Sequence, residues 1–450
     1  MRKWLLALIA VALTFPAYAF NVKIHGDFRQ SFGFANEAGF RNAYATQSKG
    51  EYINMGVMQK KDLYKYEDDF AANAKYRMWF TASDDAKRMI GVWAMEVGSL
   101  WYGDSKARPS KRNGGGYSGD GVNTETRWLY LDFQNPFVDF KNRFRMGLQG
   151  VGLNYWVWSE TAMGVKMYGD VGPVGYTLAW FRPHQNNERE QEGRHDAFWL
   201  KLGYKWEGFK FNLFGLYLRA DSVGSKLTKT GNYDDKRYYV GLEAKGKQGP
   251  FGAWVNIIYL GGEVYDKVAD DDYDRSAWFL HGDFTYALTD KLTLRLAGIY
   301  ASGDDDADDD DLDNWAAIDV DNGKYSLIFW EGIALDDGEF TDAPYFYDKG
   351  MNMIYAAVQY AFSKQLKTEL GLNYLATDED LEWYDKHGKK QSDDYLGTEI
   401  DLRVKYEMMK GVSIYFTAGY LFAGDAMDYY DKDDDADDIF RAAMKVRFKF

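Results

Sequence analysis

The sequence predicts an all-β protein: a transmembrane antiparallel β-barrel of about eighteen strands, with sixteen as the alternative count. Three observations carry this. Apolar residues recur at every second position rather than at helical spacing. The connections between these runs alternate between short and long, as short periplasmic turns and long extracellular loops do. The last eleven residues, FRAAMKVRFKF, place Phe440, Ala442, Met444, Val446, Phe448 and Phe450 on one face. Arg441, Lys445, Arg447 and Lys449 lie on the other, which is the pattern of a wall between lipid and water.

The N-terminus reads as a signal peptide over residues 1–19. Arg2 and Lys3 precede an apolar stretch from Trp4 to Phe15, and Ala17-Tyr18-Ala19 supplies the small-residue cleavage site. Twelve apolar residues are too few to span a bilayer as a helix. Residues 20–450 then form one barrel domain, and removal of Arg2 and Lys3 deepens the net charge from −15 to −17.

Along the chain, the clearest strands run through Phe198–Trp206, Leu292–Tyr300, Leu396–Tyr406 and Val412–Phe422. Short connections fall at 83–87, 134–140, 169–173, 207–208, 246–250, 289–291, 363–365 and 408–411. Long ones fall at 35–68, 103–122, 151–161, 183–195, 221–236, 262–276, 302–350, 377–394 and 423–438. They delimit strands of about ten to fourteen residues. The stretches 88–102, 123–134 and 162–169 are less regular, which is why sixteen stands beside eighteen. Tyr204, Trp206, Tyr259, Tyr286, Tyr300, Tyr360, Tyr374 and Tyr406 end strands on the outward parity, as interfacial girdles would. Ordinary β-propensity of aromatics accounts for them equally well.

The inward parity is basic. Arg127, Arg143, Arg145, Lys166, Lys201, Lys205, Arg295, Arg403, Lys405, Lys445 and Arg447 are assigned to the pore wall. A base facing lipid near the midplane costs about 2–4 kcal/mol, so this must be the wet side. Inward acids are fewer, with Glu125, Glu243, Asp283, Glu369, Glu399 and Asp401 the clear cases. Acid concentrates instead in the loops, at 303–313, 431–438, 268–274 and 64–69. A basic lumen raises the local anion concentration while an acidic mouth opposes it, so the expectation is a weak anion preference.

NYWVWSETAMG (154–164) follows the Arg143/Arg145 strand. Its Tyr155, Trp156, Trp158 and Glu160 either fold into the lumen as a constriction or end a Trp-rich strand at the outer girdle. The aspartate runs offer Asp304, Asp306, Asp309, Asp433 and Asp435 as loop-bound Ca2+ candidates, since hard cations take oxygen ligands. They lack EF-hand spacing, and a solvated acidic face is the competing account. With no cysteine, the chain excludes disulfides, iron–sulfur clusters, c-type haem attachment and thiolate zinc sites. The five histidines pair with no nucleophile; His281 and Asp283 merely share a strand face, and no enzyme is expected.

NVKIHGDFRQSFGF (21–34), ETRWLYLDF (125–133), RFRMGLQ (143–149), SETAMGVKMYG (159–169) and IYASGDDD (299–306) resemble the homotrimeric outer-membrane porins of sulfate- and metal-reducing deltaproteobacteria. The terminal aromatic strand is similar to theirs too. The resemblance implies a trimer of water-filled channels passing small hydrophilic solutes and ions by passive diffusion. Outer-membrane lipid and lipopolysaccharide are its surroundings, and nucleic acid is not an expected partner. Two alternatives stay open. One is a substrate-specific channel for an oxyanion or a sugar, with Trp79, Trp199, Trp254 and Tyr415 as a stacking track. The other is a non-transport barrel, such as an adhesin or the sheath of an electron conduit.

Overall fold

The structure is a computed structural model that describes residues 21–36, 69–102, 124–185, 194–224, 232–306, 309–320, 323–331, 335, 343–430 and 436–450. The signal peptide expected over 1–19, together with Asp433 and Asp435, lies outside the described residues.

Eighteen strands form the wall. The first six are β1 (Asn21–Ala35), β2 (Asp69–Ser83), β3 (Met89–Trp101), β4 (Thr124–Gln134), β5 (Asn142–Gly150) and β6 (Thr161–Val171). They continue as β7 (Val174–Gln185), β8 (Arg194–Trp206), β9 (Phe209–Gly224), β10 (Asn232–Gln248), β11 (Phe251–Asp266), β12 (Asp271–Ala287) and β13 (Leu292–Ala301). The last five are β14 (Met351–Ala361), β15 (Leu366–Tyr384), β16 (Lys390–Met409), β17 (Val412–Ala423) and β18 (Ile439–Lys449). Neighbours pair antiparallel, and β18 returns to β1 with Phe448 opposite Phe28 and Ala442 opposite Phe34. The sheet therefore has no edge, and its backbone groups are paired without help from water. The three less regular stretches are strands β3, β4 and β6, which settles the count at eighteen.

Burial is inverted relative to a water-soluble protein. Leu129, Leu131, Phe198 and Leu242 are exposed, while Asp235, Arg237, Glu399 and Asp401 are buried. Charged side chains are almost never buried unless paired, and here they sit inside because the outer face meets hydrocarbon. Tyr204, Trp206, Tyr286, Tyr360, Tyr374 and Tyr406 are exposed on that outer face.

Several strands are longer than expected. The stretch 262–276 is not a long loop: β11 and β12 stay paired out to Asp266 and Asp271. Likewise β15 and β16 stay paired to Tyr384 and Lys390, which gives strands of 19 and 20 residues. Apolar alternation marks only the part of a strand in lipid, whereas hairpin hydrogen bonding continues into water with polar residues. The two-residue turn between β8 and β9 works because both Glu207 and Gly208 have positive φ, 43° and 88°. That is the geometry whose twist matches paired strands.

Two connections turn inward rather than outward. Residues 151–160, between β5 and β6, and much of 302–350, between β13 and β14, pack against the inner wall. Trp156, Trp158, Trp315, Ile328, Phe329 and Trp330 form one buried cluster with Phe181, Trp254 and Phe279 of the wall.

Candidate functional site

The first insert is fixed by polar contacts at its root and aromatic contacts at its tip. The Asn154 side chain accepts from the Trp156 N–H (2.8 Å) and donates through Nδ2 to Asn256 Oδ1 on β11 (2.9 Å). Lys201 Nζ donates to the Leu153 carbonyl and Lys166 Nζ to that of Gly150. Trp156 stacks on Trp254 with ring centroids 5.6 Å apart. Both Trp156 and Trp158 are buried inside the barrel, so the outer-girdle alternative does not hold for them. Tyr155 and Glu160 are half-buried at the insert's margins.

The second insert leans on the first: the Ile318 N–H donates to the Val157 carbonyl (2.8 Å) and that of Ser159 to the Asp319 carbonyl (3.0 Å). Its deepest part is a single helical turn, Leu327–Trp330, whose N-cap is Ser326. Glu399 of β16 receives the Ser326 hydroxyl (2.5 Å) and the N–H groups of Leu327 (2.7 Å) and Ile328 (3.1 Å). A carboxylate is the natural partner for a helix start, whose first N–H groups have no partner of their own. At the other end Arg441 Nη1 donates to the carbonyls of Ile328 (2.9 Å) and Glu331 (2.7 Å). Tyr325 sits just before this turn at φ 72°, a left-handed conformation that a bulky residue adopts at a cost. It is held there: its carbonyl accepts from Arg403 Nη2 (2.6 Å) and Asn373 Nδ2 (3.1 Å). Its hydroxyl lies 2.7 Å from His281 Nε2 and donates to Asp283 (3.1 Å). The shared face of His281 and Asp283 thus has a use, which is to seat this tyrosine.

The inserts cover the wall from β7 round to β18, and the arginine-rich remainder is organised differently. Glu96 takes Arg127 (2.7 Å), Arg77 and, at 3.8 Å, Lys75. Asp132 takes Arg143 (2.6 Å) and Arg145 (2.8 Å), together with the Tyr168 hydroxyl. Asp27 takes Arg29 (3.1 Å) and Arg447, whose Nε lies 2.8 Å away. Seven bases therefore share three carboxylates along β18 and β1–β5. The carboxylates are 2–5% exposed and the six arginines 17–29% exposed. Acid lies against the wall, and surplus base faces the lumen.

The other wall residues read from parity fall into two groups. Arg295 pairs with Asp283 (2.6 Å) and Glu369 (3.4 Å), and Arg403 with Asp401 (3.2 Å), beneath the second insert. Lys205, Lys405 and Lys445 lie on inward positions nearer the short turns, with Lys445 Nζ 3.4 Å from the Leu335 carbonyl. Trp199 and Trp254 of the suggested stacking track are buried, Trp199 stacked on Phe181 and Trp254 on Trp156. Among the Ca2+ candidates, Asp304 is buried and Asp306 and Asp309 are exposed. Among the described residues no three histidine or carboxylate side chains converge as a metal site would require. The residues that parity could not reveal are Tyr325, Ser326 and Trp330. The apolar run YSLIFW inside an otherwise acidic connection was the available signal.

A profile of the Alginate export family matches residues 130–318, less than half of the chain. No curated protein matches the sequence. Among solved structures, the chain is similar to OccAB4 of Acinetobacter baumannii, with TM-score 0.54, 11% identity, and 97% of this chain and 100% of that one covered. OccK8 (OprE) of Pseudomonas aeruginosa gives 0.53 and 11% over 96% and 98%. The outer-membrane protein OpdK of the same organism gives 0.52 and 9% over 96% and 98%. At such identities the likeness establishes the fold, a closed outer-membrane-type barrel.

Proposed function

We propose that this protein is an outer-membrane porin whose water-filled channel passes small hydrophilic solutes and ions by passive diffusion, with a weak preference for anions. The observation that carries the reading is the division of the lumen. Among the described residues, two inserts fill one side with apolar packing, and the opposite side bears seven bases on three carboxylates. Fixed positive charge in a channel with low-dielectric walls concentrates anions. The exposed apolar belt supports an outer-membrane location, among lipid and lipopolysaccharide. Kinship with the trimeric deltaproteobacterial porins, and with it a homotrimer, belongs to the same reading.

The test is planar-bilayer recording of the purified protein across a KCl gradient. The expected result is steady conductance in steps of three, with a reversal potential of the sign that chloride preference gives. A folded preparation that forms no channels overturns the proposal. A second reading has one specific support: the alginate export match spans Arg143 and Arg145 of the basic face. On that reading the basic path conducts an acidic polysaccharide chain, and soluble uronate oligomers would block the KCl current reversibly.

A further inference from the structure

Below the second insert, at the end of the lumen where the short turns lie, the wall encloses a cavity of about 490 Å³. Its lining is chemically distinct from the arginine-rich face described above. Lys291, Lys367, Arg403, Lys405 and Lys445 contribute five positive charges, against Asp290, Glu331 and Glu369. Glu369 is already engaged: it accepts from Tyr355 Oη (2.7 Å) and Gln359 Nε2 (2.6 Å) and lies 3.4 and 3.5 Å from Arg295 and Arg403. Arg403 is likewise committed to Tyr325 and Asp401. Lys291 and Lys367 carry no ion pair among the described residues, and Lys405 lies over the Tyr415 ring at 5.5 Å. Thr293, Thr417 and Tyr415 add hydroxyl groups to the same space. Glu331 and Leu335 of the insert line the cavity alongside the wall residues.

We propose that this cavity is a binding site for a small organic dianion bearing hydroxyl groups, such as a hydroxydicarboxylate. The inference rests on the channel reading and sharpens it from general diffusion to a preferred solute. The volume lies within the range of small-molecule pockets, roughly 300–1,000 Å³. The surplus of two positive charges matches a dianion. Flexible lysine ammonium groups, unlike a planar arginine fork, can meet carboxylates at varied angles. The threonine and tyrosine hydroxyls distinguish a hydroxylated solute from a plain dicarboxylate.

The test is titration calorimetry of the detergent-solubilised barrel with L-malate, succinate and glucose. Expected is saturable malate binding at one per chain, weaker succinate binding and no glucose binding. Lys367→Gln combined with Lys405→Gln, both at exposed positions on the lumen face, should weaken malate at least tenfold. Lys405→Arg alone keeps the charge and should stay within about threefold of the parent. Absence of malate binding, or binding unchanged in the double variant, overturns the site. KCl conductance of the same preparation is read separately. Conductance without malate binding leaves the channel and removes the site, and malate binding without conductance does the reverse.

Discussion

Glu399 has no exposed surface, and its carboxylate is the point at which the second insert is tied to the wall. Replacing it with alanine strands three donors, each of which costs about 1–3 kcal/mol when left buried and unpaired. Glu399→Ala should therefore free the 323–331 turn, raise single-channel conductance and expose the β13–β14 connection to proteases. Ser326→Ala removes one of the three bonds to Glu399 and the cap on the Phe329 N–H, and should give a smaller change in the same direction. An unchanged conductance in Glu399→Ala would show that the turn is held by its apolar packing alone. Asp304, at the start of the same connection, responds to pH. Burial, reinforced by Asp348, pushes its carboxyl up to about 6 from an ordinary value of 3.8. The folded state thus holds the proton more tightly than the unfolded chain. The stabilisation is full below about pH 4 and is lost as pH rises through about 6. Amide protection factors, which divide out the intrinsic pH dependence of exchange, should be higher at pH 4.5 than at pH 7.5 in the described parts of 302–350, and Asp304→Asn should flatten that difference.

Among the elements, the alternating strands were legible because period two is a local property: Leu200 and Trp206 declare their face without reference to any partner. Strand ends were not legible, since Asp266 and Asp271 extend a hairpin by backbone pairing that leaves no apolar trace. Nor was the destination of the inserts. Parity placed Glu399 on the inner face, yet Ser326, its partner, lies 73 residues away and nothing local links them. Trp156 posed the same difficulty, because an aromatic in a connection suits a girdle or a plug equally until the wall opposite is known. The meeting of β18 and β1 offers its own test. Gly26 exchanges both backbone hydrogen bonds with Phe450, at 3.1 and 3.2 Å, and a Cβ on Gly26 would collide with the Phe450 ring. Gly26→Val should displace that ring and slow barrel assembly. The expected readout is a larger unfolded fraction on unheated gels, with the closed form unchanged in conductance.

For the whole molecule, what matters is where charge sits, since the chain is acidic overall and its lumen face basic. Opposite signs separated in this way are sensitive to screening. The Debye length falls from ~10 Å at 0.1 M salt to ~3 Å at 1 M. Anion preference, measured as reversal potential at a fixed KCl ratio, should therefore fade between those concentrations. Exchanging Arg127 and Arg145 for glutamate should move the reversal potential toward cation preference in dilute salt, with little effect in concentrated salt. A selectivity indifferent to ionic strength would point to size exclusion at the inserts instead. The Asp27–Arg447 contact has a bearing on how such a molecule is made. It joins residues 420 positions apart, so it is unavailable to any incomplete chain. Contacts this distant come late, because the loop between them must be ordered first. Until β18 docks, the Asp27 carboxylate has Arg29 as its partner and lacks Arg447. The pair therefore distinguishes a finished wall from an open sheet, and a chain stalled short of Arg447 lacks that contribution to closure.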